Sequence, residues 1–380
     1  MAIAQPAKES LRQLADKRGM LFGAAAGEAF NNDNAALKAA LAREFNTVVS
    51  EYSMKFGQVV PARGTYNWGP GDKLVDFAQQ NKLKVRGHCL AWHKEASFLE
   101  TTRMTRAEML AALKDYALKA VGRYQGKVVQ WDVANEVISN NPDSTYRDTF
   151  LFRTMGIDFV DSCFRWARQA DPEVPLYYND YWNEGMGIKS DKVYAFVKGL
   201  KERNVPIDGV GLQCHFRYDS LPTFAEMDAN IKRLGRLGLQ VAFTEVDYRV
   251  DLPLTEAKLA KQREVYEGTL RVCMENPNCK TFVLWGVTDA FTWIDGYYPG
   301  WSAPLLLDRN YNPKPAYEGV WQNLNTYYPT STFRRDRIGP KLSILTSADP
   351  GVDALGRPSP AAWRGRTPRM LPAFLIPSIR

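Results

Sequence analysis

Short apolar runs alternate with amphipathic stretches along most of the chain. The runs are Leu21–Gly23, Thr47–Ser50, Lys84–His88, Val128–Trp131, Pro175–Tyr178, Gly209–Gln213, Val241–Phe243 and Thr281–Trp285. Such short apolar runs are what strands buried on both faces look like in sequence. Between them, apolar positions recur at helical spacing over Ala35–Glu44, Lys73–Asn81, Arg106–Tyr124, Phe150–Ala170, Asp191–Glu202, Phe224–Leu234 and Glu256–Met274, with a last stretch at Ala316–Leu324. Eight strands, each followed by a helix, predict an α/β protein with a closed parallel (β/α)8 barrel. Doubly wound open sheets also alternate. The count of eight, and the polar residues that end each run, favour the barrel. Gly23-Ala24-Ala25-Ala26-Gly27 is no dinucleotide fingerprint.

The periodic pattern stops after Tyr328-Pro329. We therefore read residues 9–329 as one catalytic-size domain and 330–380 as a Pro/Arg-rich tail, expected to be disordered. That tail accounts for most of the chain's net charge of +7. From Phe333 onward Arg334, Arg335, Arg337, Lys341, Arg357, Arg364, Arg366, Arg369 and Arg380 face only Asp336, Asp349 and Asp353. The main domain is nearly neutral, which argues against nucleic acid as its partner. The absence of a long apolar run predicts no membrane span. The first residues, Met1-Ala2-Ile3-Ala4, carry no signal-peptide pattern. The 10 Trp, 18 Tyr and 18 Phe fit a large core and also supply rings that stack on sugars.

Two glutamates stand where apolar runs give way to polar residues: Glu136, closing Trp131-Asp132-Val133-Ala134-Asn135-Glu136, and Glu245, within Ala242-Phe243-Thr244-Glu245-Val246-Asp247. They are 109 residues apart, three βα units of roughly 36 residues each, which brings both to the C-terminal face of one barrel. Paired carboxylates across a groove are the minimal equipment for cleaving a glycosidic bond. The three histidines, His88, His93 and His215, also follow predicted strands. His88-Cys89 and Cys214-His215 look like metal-ligand pairs, but neighbouring strand residues point to opposite faces. No zinc-type spacing is present, so neither a metal nor a cofactor is expected.

These motifs together resemble glycoside hydrolase family 10, the retaining endo-β-1,4-xylanases on a (β/α)8 barrel. The resemblance spans about residues 9 to 329. It rests on His88-Cys89-Leu90-Ala91-Trp92-His93, the Trp131–Glu136 run, Tyr178-Asn179-Asp180-Tyr181, Gln213-Cys214-His215, Thr244-Glu245-Val246-Asp247 and Trp285-Gly286-Val287-Thr288-Asp289. It implies that Glu136 is the acid/base and Glu245 the nucleophile. Asn135 would bond the nucleophile or the sugar 2-hydroxyl. His215 would stand beside the nucleophile with Asp247 fixing its ring, and Gln213 would support the acid/base. Lys55 and His88 match residues of the −1 and −2 sugar subsites. Trp92, Trp285 and Trp293 match the walls of the −1 pocket, and Tyr178 and Asn179 the lining of the leaving-group side. Cys273 and Cys279 match a pair that often forms a disulfide. An oligosaccharide or polysaccharide substrate, a monomer, and a secreted or periplasmic location are the further expectations.

The chain departs from the family at one end of the groove. The family run Glu-Asn-x-Met-Lys-Trp is here Glu51-Tyr52-Ser53-Met54-Lys55-Phe56, so Tyr52 replaces an asparagine that binds the −2 sugar. A phenol cannot reproduce an amide's donor-acceptor pair. Two residues after His93 the family has Gln, where this chain has Glu95. The expectation is altered −2 recognition with intact −1 chemistry. A related glycosidase on another β-linked glycan and a non-catalytic carbohydrate-binding barrel are the rival readings, the latter disfavoured by the presence of all four of Glu136, Glu245, Asn135 and Asp247.

Overall fold

The structure, a computed structural model, describes residues 8–95, 99–100 and 104–327. The predicted tail from residue 330 and the first seven residues lie outside the described residues. Eight parallel strands form a closed barrel: β1 Leu21–Ala26, β2 Thr47–Ser50, β3 Lys84–Ala91, β4 Val128–Asn135, β5 Leu176–Asp180, β6 Gly209–Leu212, β7 Gln240–Tyr248 and β8 Cys279–Leu284. Neighbours in sequence are neighbours in the sheet, and β8 pairs with both β7 and β1 to close it. Helices follow the strands on the outside of each βα unit, the longest being Arg106–Arg123 and Glu256–Glu275. Several begin on sequence signals that satisfy their free amides. Thr105 with Glu108 and Thr223 with Glu226 form reciprocal capping boxes.

The predicted single helix over Phe150–Ala170 is two, Phe150–Met155 and Asp158–Ala170. Gly156 between them takes φ +72°, a left-handed turn that no continuous helix contains. Strands β3, β4 and β7 run further than their apolar stretches suggest. Their C-terminal halves carry the polar residues of interest, so the sheet continues through them.

Close packing in the wall depends on missing side chains. A Cβ on Gly87 would lie 2.3 Å from the Trp131 ring, and one on Gly209 would lie 2.3 Å from the Tyr177 ring. A belt of buried polar groups also joins the strands. Arg86 of β3 donates from Nε to Asp132 Oδ2 at 3.0 Å and from a terminal nitrogen to Gln130 Oε1 at 2.6 Å. Gln130 Nε2 reaches Tyr177 Oη and Thr281 Oγ1, both at 3.0 Å, and Tyr177 donates to Gln240 Oε1 at 2.7 Å. A buried ion pair is tolerable only when its remaining donors and acceptors are matched, as they are here. The belt's upper edge is Asp132, which faces His88.

Cys273 and Cys279 are joined by a disulfide linking the end of the 256–275 helix to β8, and Cys89, Cys163 and Cys214 are free and buried. On the loop-entropy account so small a ring contributes about 2 kcal/mol. Among the described residues, no helix is long and apolar enough to cross a membrane.

Candidate active site

The barrel's backbone ladder sets the site's register. At the C-terminal ends of four successive strands, Glu136 N donates to Asn179 O at 2.9 Å, Gln213 N to Asp180 O at 2.9 Å, and Glu245 N to Gln213 O at 3.1 Å. Trp285 N then donates to Val246 O at 3.1 Å. The side chains of Glu136, Asn179, Gln213, Glu245 and Trp285 are thereby delivered to one level of one face. Asn135 ends β4 and Glu136 follows it; Glu245, His88 and Asp247 lie inside their strands rather than after them.

Glu245 is buried and held by two donors. Asn179 Nδ2 lies 2.7 Å from its Oε1, and His215 Nε2 lies 3.2 Å from its Oε2. The other imidazole nitrogen of His215 meets Asp247 Oδ2 at 2.9 Å, and the same oxygen accepts from the Trp293 indole N–H at 2.9 Å. Burial works against the His215 cation, but the Asp247 carboxylate and Glu245 raise its pKa to about 10. At neutral pH the ring is an imidazolium that donates to both carboxylates. That fixes the orientation of the Glu245 carboxylate.

Glu136 is reached by Gln213 Nε2 at 3.3 Å and by the Asn135 amide at 3.3 Å. The Asn135 amide also accepts from Asn179 Nδ2 at 2.9 Å, so Asn135 and Asn179 link the two glutamates. Turned over, the Asn135 amide would exchange its bond to Glu136 for one accepted from the Trp92 indole N–H at 3.1 Å. The backbone of Glu136 has φ +56°, a left-handed conformation unusual for a residue with a side chain. Arg147 holds it there by donating from Nε to the Glu136 carbonyl at 2.9 Å. Burial pushes the Glu136 carboxyl up, but His93, Arg147 and Lys94 and the Trp92 hydrogen bond outweigh it and bring it down to about 2. At neutral pH this group is therefore ionised.

His88 is buried, with Nδ1 3.0 Å from Asp132 Oδ2 and its ring edge-on to Trp285 at 5.3 Å. Burial opposes its protonation, while the Cys89 sulfur, Asp132 and Glu245 carry its pKa to about 10. Lys55 Nζ sits 3.9 Å above the Trp92 ring and 5.2 Å from that of Tyr52. Glu51 is pushed above the usual carboxylate range by burial, against the pull of Tyr52 and Lys55. Tyr52 is 41% exposed, at the rim. Trp285 rests on an apolar cluster of Ala25, Val49 and Val283, with Trp293 packed against it. The side chain of Glu95 is outside the described residues.

Apart from Tyr178 and the Cys273–Cys279 pair, the predicted site residues lie at this face. The Tyr178 ring is fully buried, and its hydroxyl accepts from the backbone amides of Val137 and Ile138, both at 3.1 Å, while bonding Asp180. It braces the segment after Glu136 from behind and offers no surface to a ligand. Asn179, expected beside it on the leaving-group side, instead lies buried between the glutamates. Sequence reasoning missed Arg147 and Lys189. Arg147 returns to Glu136 on a loop without period, and the Lys189–Asp180 pair, at 2.7 Å, begins on a helix whose charged positions look like solvent positions. His93, noted only for its place after a strand, is near Glu136; burial lowers its pKa to about 4. Cys214 and His215 point apart, the thiol toward Leu212 O at 3.3 Å and the imidazole toward Glu245. No cluster with metal-ligand geometry occurs among the described residues.

Comparison with known proteins fits this geometry. Endo-1,4-beta-xylanase B of Thermotoga neapolitana is 37% identical over 314 residues, covering 82% of this chain and 90% of that protein. The crystal structure of native xylanase 10B from Thermotoga maritima superposes with a TM-score of 0.80 at 38% identity, covering 83% of this chain and 98% of its own. Xylanase 10B from Thermotoga petrophila RKU-1, solved in complex with xylobiose, gives a TM-score of 0.81 at 37% identity, with 84% and 98% covered. The sequence profile described as Glycosyl hydrolase family 10 matches residues 10–323, and the chain belongs to that family.

Proposed function

We propose that this protein is an endo-1,4-β-xylanase that hydrolyses internal β-1,4-xylosidic bonds in xylan or xylo-oligosaccharides with retention of configuration. One observation carries the reading: two glutamates from β4 and β7, linked through Asn135 and Asn179, with one of them cradled by an imidazolium and an amide. Glu245 attacks the anomeric carbon and forms a glycosyl-enzyme ester while Glu136 gives its proton to the leaving oxygen. Glu136 then takes a proton from water, which attacks the ester and releases the sugar. His215, fixed by Asp247, keeps Glu245 aimed. Asn135, Gln213 and Trp92 hold Glu136, and Lys55, His88, Glu51, Tyr52, Trp285 and Trp293 surround the sugars on the other side of the bond.

The general acid must start protonated, yet the surrounding cations favour its anion. A bound chain supports the reversal in two ways. It excludes water, which raises a buried carboxyl's pKa, and it displaces the exposed Lys94 ammonium from the cleft. The enzyme is proposed to act as a monomer outside the cytoplasm, where a disulfide such as Cys273–Cys279 persists.

Product analysis by chromatography and NMR on defined β-1,4-xylo-oligosaccharides tests the reading, with Glu245→Ala as control. Shorter oligomers released first as the β-anomer by the wild type only are expected. An initial α-anomer would refute retention. Silence on these substrates with cleavage of another β-glycoside would move the substrate assignment to that glycan.

A further inference from the structure

Two unfavourable features coincide at Trp182, in the segment after β5. Its backbone has φ +56°, a conformation that bulky L-residues avoid, and its indole is 55% exposed. A single exposed aromatic is ordinary. One that is also held in a strained backbone invites a functional explanation.

The segment is fixed from behind. Asn230 Nδ2 donates to Asn183 O at 2.6 Å and to Glu184 O at 3.2 Å, and Glu184 Oε1 accepts from Cys214 N at 2.9 Å. In front, the indole stands edge-on to Tyr181, with centroids 5.5 Å apart at 75°. Tyr181 is itself locked, its hydroxyl meeting Asn140 Nδ2 at 2.6 Å and Arg147 at 2.8 Å, with Lys189 Nζ 3.9 Å from its ring centre. Because Arg147 also holds the Glu136 carbonyl, this aromatic pair is built directly onto the acid/base segment.

The next loop continues the surface. Gly185 lies so close to Pro222 that a Cβ would come within 2.5 Å of it, so the segments after β5 and β6 pack together. The segment after β6 carries Tyr218, which is 61% exposed and stacked on Trp301 with centroids 5.7 Å apart at 19°. Trp301 covers one face of that ring and the other is open. These loops lie on the side of Glu136 away from Lys55, Tyr52 and His88. The acid protonates the leaving oxygen, so sugars released as the leaving group lie on that side.

We infer that Trp182 and Tyr218 are stacking platforms for xylosyl units beyond the first on the leaving-group side, making this enzyme selective for long chains. A xylopyranose ring offers an apolar face that a fixed indole or phenol ring covers without ordering cost. The inference rests on the proposed xylanase activity and deepens it.

The test compares kcat/KM on xylohexaose with kcat/KM on 4-nitrophenyl β-xylobioside, whose nitrophenyl group alone occupies the leaving side. In the full chain, Trp182→Ala is expected to lower the ratio of the two about tenfold and Tyr218→Ala about fivefold, the scale of one ring contact. Trp182→Phe, which keeps a stacking face, should restore most of it. An unchanged ratio in both alanine variants, or a phenylalanine variant as impaired as the alanine one, overturns the inference. A wild type that cleaves the aryl substrate but is indifferent to chain length refutes the platforms alone. Silence of the wild type on both substrates refutes the xylanase reading with them.

Discussion

Asn179→Ala removes one amide that serves both halves of the site. Its Nδ2 donates to Glu245 Oε1 at 2.7 Å and to the Asn135 amide at 2.9 Å, while its Oδ1 accepts from Thr244 Oγ1 at 2.7 Å. The residue is fully buried, so no bulk water stands ready in its place. A hydrogen bond to a charged group contributes about 1.5–3 kcal/mol. At about 1.4 kcal/mol per factor of ten, kcat/KM should fall roughly 10- to 100-fold. Asn179→Asp is the sharper perturbation because it keeps the shape and inverts the chemistry. It sets a second carboxylate against Glu245 at the old amide distance, and two such groups share a proton. Glu245 then ionises only at higher pH, so the acidic limb of the kcat/KM profile moves up. The assay is hydrolysis of 4-nitrophenyl β-xylobioside across pH, with thermal unfolding to confirm that each variant is folded. Folded Asn179→Ala with kcat/KM within threefold of wild type, or Asn179→Asp with an unmoved acidic limb, would refute the assignment of this amide to Glu245.

Three further outcomes are expected. The folded-state pKa of His215, about 10, lies above its unfolded value near 6.5, so its ion pair stabilises fully below pH 6.5 and the contribution is lost as pH rises through 10. Asp247→Asn should therefore flatten the fall in urea stability over that window relative to wild type; equal slopes would sink the claim. Lys94→Met removes one of the charges that depress Glu136, so the basic limb of kcat/KM should move to higher pH, and a limb that stays put would show that Lys94 is already displaced or irrelevant. Tyr52→Asn restores an amide donor and acceptor at the rim and should raise kcat/KM on plain xylo-oligosaccharides about fivefold, the worth of one neutral hydrogen bond. Unchanged kinetics would mean that Tyr52 does not alter recognition.

The barrel was legible because a strand buried on both faces must be apolar, and eight such runs separated by helical periods leave few architectures. What blurred the strand ends was the same chemistry that makes the site. His88, Asp132, Asn135, Glu245 and Asp247 interrupt the apolar pattern, yet they remain in or at the end of the sheet, where backbone pairing holds them more rigidly than a loop would. Pattern reading treats a polar residue as the end of a strand; here it marks the place where the strand is put to use. The partners of these residues were legible when they shared a strand face, as Glu245 and Asp247 do two positions apart. Tyr178 shows the limit of carrying a motif over residue by residue. It stands beside Asn179 in sequence, but alternation turns its ring into the core, where the hydroxyl can only brace the backbone after Glu136. Arg147 shows the converse. Nothing in the aperiodic segment from Val137 to Asp148 marks it, because its role comes from a loop that doubles back, pairing Ile138 with Tyr146, and returns a guanidinium to the carbonyl of the residue that began it. Trp182 could have been noticed from composition alone, yet its significance rests on a backbone angle that no pattern of hydrophobic and polar positions encodes.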